Sequence, residues 1–400
     1  MRDILTFILA GGKGERLDPL TRDRAKPAVP FGGIYRIVDF ALSNCVNSGL
    51  RRIFLLTQYK SFSLQRHILE GWNIYSNQLG EFIDVVPAQQ RISADWYRGT
   101  ADAIYQNLNM VQDYDPKLVL ILAGDHVYKM DYRKMIDDHV RTGADMTVAC
   151  LSMPKSEAAY FGVVEVNKNS MIVGFQEKPK DPKTIPSDPG SIFGSMGIYL
   201  FNADVLFKEL KIDADKSDSG HDFGKNIIPQ MIQKKMKVSA YDFAANNEFS
   251  YWRDIGTRDA YYQANMDLVG PDPKFNLFER SWPLRTHYHH YSPVRAYTTG
   301  KKPGTIVNSL VASGCVLESA QVIHSVVSNN VFIKDGASVT NSVIMDSVTI
   351  GQGAQIQNAI IDKDVVIPAG ARIGFDAEDD RKRFTLTTSG IVIVAKKTSL

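Results

Sequence analysis

The chain has 400 residues, which is enough for two or three domains with sizeable cores. Its 46 basic and 44 acidic residues give a net charge of +2, which argues against nucleic acid or an anionic membrane as the main partner. Three scattered cysteines do not suggest a disulfide framework or a metal cluster, and no secretory signal or membrane-spanning run is visible. We therefore expect a soluble, cytoplasmic protein.

The first predicted element is a short apolar strand at residues 4–10, which leads directly into the glycine-rich run Gly11-Gly12-Lys13-Gly14. A loop with so few side chains lets backbone N–H groups converge on an anion, and Arg16 and Lys26 add positive charge. The spacing fits neither the dinucleotide fingerprint nor the P-loop. It therefore predicts a phosphate cradle of another type, with a simple tight turn as the alternative.

An alternation of strands and helices follows. Apolar runs at 52–57, 118–123 and 146–153 indicate buried strands, and Asp131 can cap a helix with Tyr132, Met135, Ile136 and Val140 on one face. This pattern predicts a doubly wound, mainly parallel α/β sheet of Rossmann-like type, with its ligand site at the carboxyl ends of the strands. The glycine loop and Asp125 both follow predicted strands, so we expect them to meet there.

The remaining segments suggest how the chain divides. Strand-like runs between 154 and 270 extend the first domain, giving a catalytic domain at 1–275 and a linker, rich in proline and aromatic residues, at 276–303. From 304 to 400, apolar residues recur every six positions, as at Ile361, Ile367 and Ile373. That rhythm predicts a left-handed parallel β-helix.

Hexad repeats also build acyltransferases, which use a catalytic base beside a coenzyme groove. Only His324 lies within this repeat, without an evident polar partner. Packing and contact between subunits are therefore the expected uses of the domain.

Seven motifs in order carry a family resemblance: the run LAGGKGERLDPLTRDRAKPAVPFGG, then WYRGTADA, AGDH, FQEKP, SMGIY, HDFGK and YWRDIGT. Together they resemble the sugar-nucleotide pyrophosphorylases, and among these the bacterial glucose-1-phosphate adenylyltransferase family of glycogen synthesis. The resemblance covers nearly the whole chain. It implies transfer of a nucleotidyl group from ATP to glucose 1-phosphate with Mg²⁺, in a homotetramer controlled by anionic metabolites.

The resemblance also implies roles for individual residues. The nucleotide side would comprise Gly11, Gly12, Gly14, Arg16, Lys26, Gly99 and Asp125, and of these Asp125, Arg16 and Lys26 would be catalytic. The glucose 1-phosphate side would comprise Tyr97, Gly162, Glu177, Lys178, Ser195, Asp222 and Trp252. Asp125 and Asp254 would hold the metal, a pair that suits Mg²⁺. His126 is expected to be structural, because a phosphate nucleophile needs no base.

Two alternatives remain at this point. The same reaction with another base would give UDP-, dTDP- or GDP-glucose. A non-catalytic regulatory subunit is the second alternative, but the presence of Lys26, Asp125, Lys178 and Asp254 argues against it.

The sequence alone does not identify the effector. Asp23 stands where many relatives carry an activator-binding lysine, and Pro30 stands where some have histidine. An anionic activator would therefore meet a carboxylate at this position. Other basic residues could contact an anion or simply be solvated: Arg36, Arg51, Arg52, Arg381, Lys382 and Arg383.

Overall fold

The computed structural model describes residues 3–89, 96–248, 251–299, 303–398 and 400. In the first 270 residues the described strands are β1 (Ile4–Ala10), β2 (Pro30–Phe31), β3 (Tyr35–Arg36), β4 (Arg52–Thr57), β5 (Phe82–Pro87), β6 (Leu118–Ala123), β7 (His126–Tyr128), β8 (Met146–Pro154), β9 (Gly162–Val166), β10 (Ile172–Glu177), β11 (Ser191–Asn202), β12 (Val238–Asp242) and β13 (Trp252–Asp254). The α-helices of the same part are α1 (Val38–Asn47), α2 (Phe62–Gly71), α3 (Thr100–Tyr105), α4 (Leu108–Tyr114), α5 (Tyr132–Thr142), α6 (Ala203–Ala214), α7 (Ile228–Gln233), α8 (Phe243–Asn246) and α9 (Arg258–Met266).

Nine of these strands form one mixed sheet. β4, β1 and β6 are adjacent and parallel, as the sequence predicts, β5 joins β4 in parallel, and β8 pairs with β12 in parallel. The long strand β11 runs antiparallel to β6, β8 and β9, and β10 is antiparallel to β9. Strands β9, β10 and β11 therefore extend the first domain as an antiparallel half, and β12 extends it in parallel pairing with β8.

The sheet is covered on both faces, as a doubly wound domain requires. Alternate residues of β1 enter two different apolar clusters, Leu5 and Phe7 on one side and Ile4 and Ile8 on the other. Because side chains alternate along a strand, this alternation shows that both faces are buried.

Helix α5 begins as expected but buries a slightly different face. The Asp131 carboxylate accepts a hydrogen bond from the Arg133 N–H at 3.0 Å, which caps the helix. Tyr132, Met135 and Ile136 are buried, but Val140 is 65% exposed and His139 takes its place in the interior. The prediction for Val140 was wrong because of the helical repeat. His139, seven residues after Tyr132, lies on the same face of the helix as Tyr132, whereas Val140, eight residues after it, lies further round the helix.

The C-terminal part consists of very short strands in three sheets, which are parallel except that the last two strands of the chain pair antiparallel. They are β14 (Arg295–Tyr297), β15 (Thr305–Val307), β16 (Leu310–Val311), β17 (Val316–Glu318), β18 (Gln321–Ile323), β19 (Val326–Val327), β20 (Phe332–Ile333), β21 (Ser338–Thr340), β22 (Val343–Ile344), β23 (Thr349–Ile350), β24 (Gln355–Gln357), β25 (Ala359–Ile361), β26 (Val366–Ile367), β27 (Arg372–Ile373), β28 (Thr385–Leu386) and β29 (Val392–Val394), with helix α10 (Ala377–Arg383) before the last two. This is the predicted left-handed parallel β-helix.

The repeat of the β-helix is not a strict hexad. Val322 pairs with Val339, which pairs with Ile356, so one coil takes 17 residues. The buried residues Ile333, Val339, Ile344 and Ile350 are separated by six, five and six positions. One side of each coil is therefore a residue shorter than the six-residue pattern predicts.

Residues with positive φ mark the corners of successive coils. His324, Asn341 and Asn358 occupy one such corner with φ of 46°, 46° and 48°. Asparagine and histidine tolerate this left-handed conformation better than most residues. His324 lies at the corner with Nδ1 3.1 Å from Asn341 Oδ1, which agrees with a packing role.

The segment before the β-helix packs on the first domain. Trp282 and Leu284 are buried, and Trp282 Nε1 donates to Asn44 Oδ1 at 2.8 Å. Thr286 Oγ1 donates to Asp39 Oδ2 at 2.7 Å. Strand β14 lies within the predicted linker 276–303 but already pairs with β17, so the repeat begins before residue 304.

A buried ion pair and a shared apolar cluster join the two domains. Arg24 Nη2 lies 2.8 Å from Asp362 Oδ1, and both side chains are buried. Leu17, Leu20 and Val29 of the loop around Arg24 belong to the same cluster as Val343 and Ile360 of the β-helix. The β-helix therefore packs directly against the segment that carries Lys26.

Two further findings concern the predicted bulk properties. Cys45, Cys150 and Cys315 are buried and unpaired by disulfides. Among the helices of the described residues, none is both long enough and apolar enough to cross a membrane.

Candidate active site

A cavity of about 540 Å³ opens at the carboxyl ends of β1 and β6 and is bounded by β10, β11 and β13. The predicted site residues that line it are Gly11, Gly12, Arg16, Lys26, Tyr97, Gly99, Asp125, Gly162, Glu177, Lys178, Ser195, Asp222, Trp252 and Asp254. The cavity therefore brings together residues from both predicted substrate sides. Gly14 is the exception.

Gly14 shapes the glycine loop without lining the cavity. Its φ is +67°, and its carbonyl accepts a hydrogen bond from Thr21 Oγ1 at 2.8 Å. A Cβ atom at Gly14 would lie 3.0 Å from Thr21 Cγ2, whereas one at Gly12 would meet nothing within 4 Å. Gly14 therefore fixes the turn of the glycine loop, and Gly12 leaves the backbone of the loop accessible from the cavity.

Two carboxylates and one ammonium group form the charged base of the cavity. Lys26 Nζ lies 2.7 Å from Asp125 Oδ2 and 3.1 Å from Asp254 Oδ1. Burial acts to raise the pKa of Asp125, but the charges of Lys26 and His126 outweigh it and lower this pKa to about 2. Burial lowers the pKa of Lys26, but the two aspartates outweigh it and raise that pKa. Asp125 is therefore held as an anion beside a charged Lys26.

Strand pairing places the second carboxylate beside the first. β13 is antiparallel to β7, with Asp254 opposite His126 and Trp252 opposite Tyr128. Asp125 immediately precedes β7, so the pairing of two three-residue strands assembles the acidic pair. The separation of Asp125 and Asp254 along the sequence does not by itself indicate that they form a pair.

His126 also belongs to this cluster. Its Nε2 lies 3.5 Å from Asp125 Oδ1 and 3.8 Å from Asp254 Oδ1, and its Nδ1 is buried without a hydrogen-bond partner. Asp125, His126 and Asp254 each offer one ligand atom within 4.8 Å of the others. Two carboxylates beside an open cavity fit Mg²⁺, which takes few protein ligands and completes its shell with phosphate oxygens and water.

The opposite wall comes from the antiparallel half of the sheet. Gly162 of β9 pairs with Glu177 of β10, and Lys178 follows with a φ of +48°. Lys178 Nζ lies 3.4 Å from Glu177 Oε1, and the Lys178 side chain is 53% exposed. This lysine can therefore reorient towards an anion in the cavity.

An irregularity in β11 presents two more residues to this wall. The pairing of β11 with β8 shifts register between Ser195 and Tyr199, and Gly197 within it has a φ of +67°. Such bulges turn side chains out of the regular alternation. Ser195 and Gly197 both line the cavity as a result.

Asp222 and Thr100 close the cavity between the two sides. Thr100 Oγ1 donates to Asp222 Oδ2 at 2.9 Å, and Asn107 Nδ2 donates to the Tyr97 hydroxyl at 2.9 Å. Trp252 packs its ring edge-on against His126 and Phe161, with centroids 5.0 and 5.4 Å apart.

Several further residues line the cavity that the substrate and metal assignments above do not include. They are Leu9, Leu56, Gln58, Tyr59, Thr100, Ala103, Ala123, His126, Tyr160, Phe161, Phe175, Met196, Gly197, Tyr199 and Gly224. Thr100, Gly197 and Gly224 adjoin predicted residues within quoted motifs, so a signal existed for them. Tyr160 and Phe161 lie in a segment without any motif.

Most of the candidate effector-binding basic residues already have partners. Arg36 Nη1 donates to the Ser63 carbonyl at 2.7 Å, and Arg51 Nη1 donates to the Tyr75 hydroxyl at 2.9 Å. Arg381 and Arg383 pair with acidic residues of α10. These contacts agree with structural roles and leave the effector open.

Comparison with known proteins covers both domains. A family model described as nucleotidyl transferase matches residues 5–270, and one described as GlmU-like, C-terminal hexapeptide matches residues 293–394. A glucose-1-phosphate adenylyltransferase from Koribacter versatilis is 48% identical over 405 residues, covering 100% of this chain and 97% of the relative. The protein of the same name from Methylococcus capsulatus is 49% identical over 98% of this chain and 93% of its own length. Glucose-1-phosphate adenylyltransferase 2 from Vibrio vulnificus is 50% identical over 98% of both chains. With both domains matched and nearly half of all residues identical along the full length, the chain belongs to the glucose-1-phosphate adenylyltransferase family.

Proposed function

We propose that this chain makes ADP-glucose and diphosphate from ATP and α-D-glucose 1-phosphate, and so supplies an α-glucan such as glycogen. The observation that carries the proposal is the ion cluster of Lys26, Asp125 and Asp254 at the base of the cavity, between the glycine loop and Lys178. Phosphoryl chemistry of this kind needs positioning and charge stabilisation and little covalent work from the protein.

In the proposed reaction, an oxygen of the sugar phosphate forms a bond to the α-phosphorus of ATP. The bond from that phosphorus to the bridging oxygen of the β-phosphate breaks, and diphosphate leaves with the electron pair. Arg16, Lys26 and the backbone of Gly11 and Gly12 would hold the triphosphate and stabilise the charge on the leaving group.

The sugar side would be held by Glu177 and Lys178. The Glu177 carboxylate can accept hydrogen bonds from sugar hydroxyls, and Lys178 can contact the sugar phosphate. Tyr97, Gly162, Ser195, Asp222 and Trp252 would complete this pocket.

Asp125 and Asp254 would hold Mg²⁺, with His126 beside them, and the ion would neutralise phosphate charge when bound. The Lys26 ammonium lies between the same two carboxylates, beside the position proposed for the cation.

We also propose a cytoplasmic homotetramer controlled by an anionic metabolite. The short β-helix supports this, because its strand edges and apolar end can be covered by another subunit. Light scattering at micromolar protein tests the assembly, and a monomer alone would contradict it.

The function is tested by measuring diphosphate release from glucose 1-phosphate with ATP, UTP, GTP and dTTP in turn, at saturating Mg²⁺. We expect ATP to be used far better than the other three. Asp125→Asn in the same assay controls for a contaminating activity.

A preference for UTP, GTP or dTTP would move the chain to a sister specificity. Absence of release with all four nucleotides would favour the non-catalytic regulatory alternative.

A further inference from the structure

We propose that His221 is a positioning residue, which together with Asp213 fixes two walls of the cavity at one point. The inference rests on the proposed function, because its test uses both substrates. It concerns a buried histidine–aspartate pair that the reaction described above does not use.

The pair is buried and internally hydrogen-bonded. His221 Nδ1 lies 2.8 Å from Asp213 Oδ2, and each side chain is 3% exposed. Ser219 Oγ donates to Asp213 Oδ1 at 2.6 Å and accepts from the His221 N–H at 3.0 Å. Asp213, Ser219 and His221 therefore form a closed ring of hydrogen bonds.

This ring holds the His221 backbone in an unusual conformation. The φ of His221 is +50°, in the left-handed region that most residues with a side chain avoid. Such a conformation persists where surrounding contacts over-determine it. Here the imidazole bond to Asp213 and the Ser219 contact supply that constraint.

The strained residue directs its carbonyl group at the first wall. The His221 carbonyl accepts hydrogen bonds from the Ala101 N–H at 2.9 Å and the Asp102 N–H at 3.2 Å. A Cβ atom at Gly99 would lie 2.2 Å from the same oxygen, so only glycine fits there. His221 thereby fixes the segment that carries Tyr97 and Gly99.

The next residue in the chain belongs to the second wall. Asp222 accepts from Thr100 Oγ1 at 2.9 Å, and Thr100 Oγ1 accepts from the Phe223 N–H at 3.1 Å. Hydrogen bonds of His221 and of the two residues that follow it therefore link the two walls. Gly99 is assigned to the nucleotide and Asp222 to the sugar, so displacement of His221 should affect both substrates together.

The catalytic carboxylates are attached elsewhere. Asp125 follows β6 and Asp254 ends β13, and neither contacts the Asp213–His221 pair among the described hydrogen bonds and ion pairs. Loss of the pair should therefore weaken binding more than turnover at saturation.

The test compares His221→Ala with His221→Asn and with the control His139→Ala. Asparagine adopts positive φ readily, and its Nδ2, like Nδ1 of histidine, is bonded to Cγ and can donate to Asp213. His139 is equally buried and contacts Thr147 and Asn202 away from the cavity. It reports the cost of losing any buried histidine.

For His221→Ala we expect the KM values for ATP and glucose 1-phosphate to rise together by about tenfold, with kcat within about threefold of wild type. His221→Asn should restore both KM values to within about threefold. His139→Ala should lower the melting temperature without changing either KM.

If His221→Ala does not fold, Ser219→Ala removes two of the ring's hydrogen bonds and should raise both KM values in the same proportion. Equal KM values in wild type and Ser219→Ala or His221→Ala, or a rise for one substrate alone, would overturn the proposal. An inactive wild-type protein would instead contradict the proposed function.

Discussion

The two domains of this chain place their important side chains in opposite ways. In the β-helix, coils of 17 residues put Ile333, Ile350 and Ile367 in equivalent positions, each stacked on the next. In the α/β domain, the charged cluster draws Lys26, Asp125 and Asp254 from three distant segments, and none has a second copy. Repetition spreads the packing of the β-helix over many equivalent residues, whereas the candidate active site depends on single groups.

The two domains touch beside the loop that carries Lys26. Arg24 precedes Lys26 by two positions and forms the buried ion pair with Asp362 of the β-helix. The repeated domain therefore supports the loop that carries Lys26 of the candidate active site. Elsewhere, we expect changes in the two domains to separate into effects on stability and effects on catalysis.

The largest expected effect is at the acidic pair. Asp125→Asn keeps the size of the side chain but removes the charge, so turnover should fall at least a hundredfold to a thousandfold, about 3–4 kcal/mol in activation free energy. The protein should stay folded and still bind ATP. Steady-state kinetics at saturating Mg²⁺ measure turnover and the use of ATP, and circular dichroism checks that the protein is folded.

Asp364→Asn is the matched control, because it makes the same change at a β-helix corner with a φ of +61°. Its turnover should stay within about twofold of wild type. If Asp125→Asn retains more than about a tenth of wild-type turnover, the metal assignment is wrong, since the loss would be below about 1.4 kcal/mol.

The next effect in size is at Lys178. Lys178→Ala should raise the KM for glucose 1-phosphate roughly tenfold to a hundredfold, because one charge-assisted contact is worth about 1.5–3 kcal/mol. The KM for ATP should change much less. Lys180→Ala, an exposed lysine that does not line the cavity, is the control. Equal losses for both substrates would contradict the assignment to the sugar phosphate.

A smaller effect on stability is expected when the same substitution is made in the core of each domain. Ile350→Val in the β-helix core and Ile255→Val beside Asp254 both remove a buried methylene group, and each should cost about 0.5–1.5 kcal/mol of unfolding free energy. Only Ile255→Val should also lower turnover, because the smaller side chain should let the neighbouring Asp254, a proposed metal ligand, shift. Denaturant unfolding and kcat measurements check this pair; equal kcat losses would show that the domains are more strongly coupled than proposed.

The smallest expected effect is a pH dependence of stability where Lys129 contacts the linker. Lys129 Nζ donates to the Asn276 carbonyl, and burial lowers the pKa of Lys129 from 10.5 to about 8. Between these values the unfolded chain binds the proton more tightly, so the stability of wild type relative to Lys129→Met should rise with pH. Thermal unfolding from pH 8 to 10 measures the difference, and a flat or falling difference would contradict the lowered pKa of Lys129.

Local sequence determined much of the architecture. Strand β1 followed by Gly11 and Gly12, the cap at Asp131, and the repeated isoleucines near the C-terminus are each set by neighbouring residues in the chain. Such features are readable because propensity, capping and periodicity act over a few residues. The roles of the site residues, in contrast, came from the resemblance of whole motifs and not from spacing.

Only the tertiary structure decided how these pieces meet. His126 faces the two carboxylates because β13 pairs with β7, and Arg24 meets Asp362 across more than 300 residues. Val140 is a different case, since the helical periodicity counted from Tyr132 already favours His139 for the interior. Contacts between distant segments depend on the register of strands and the closure of long loops, and no short stretch of sequence encodes either by itself.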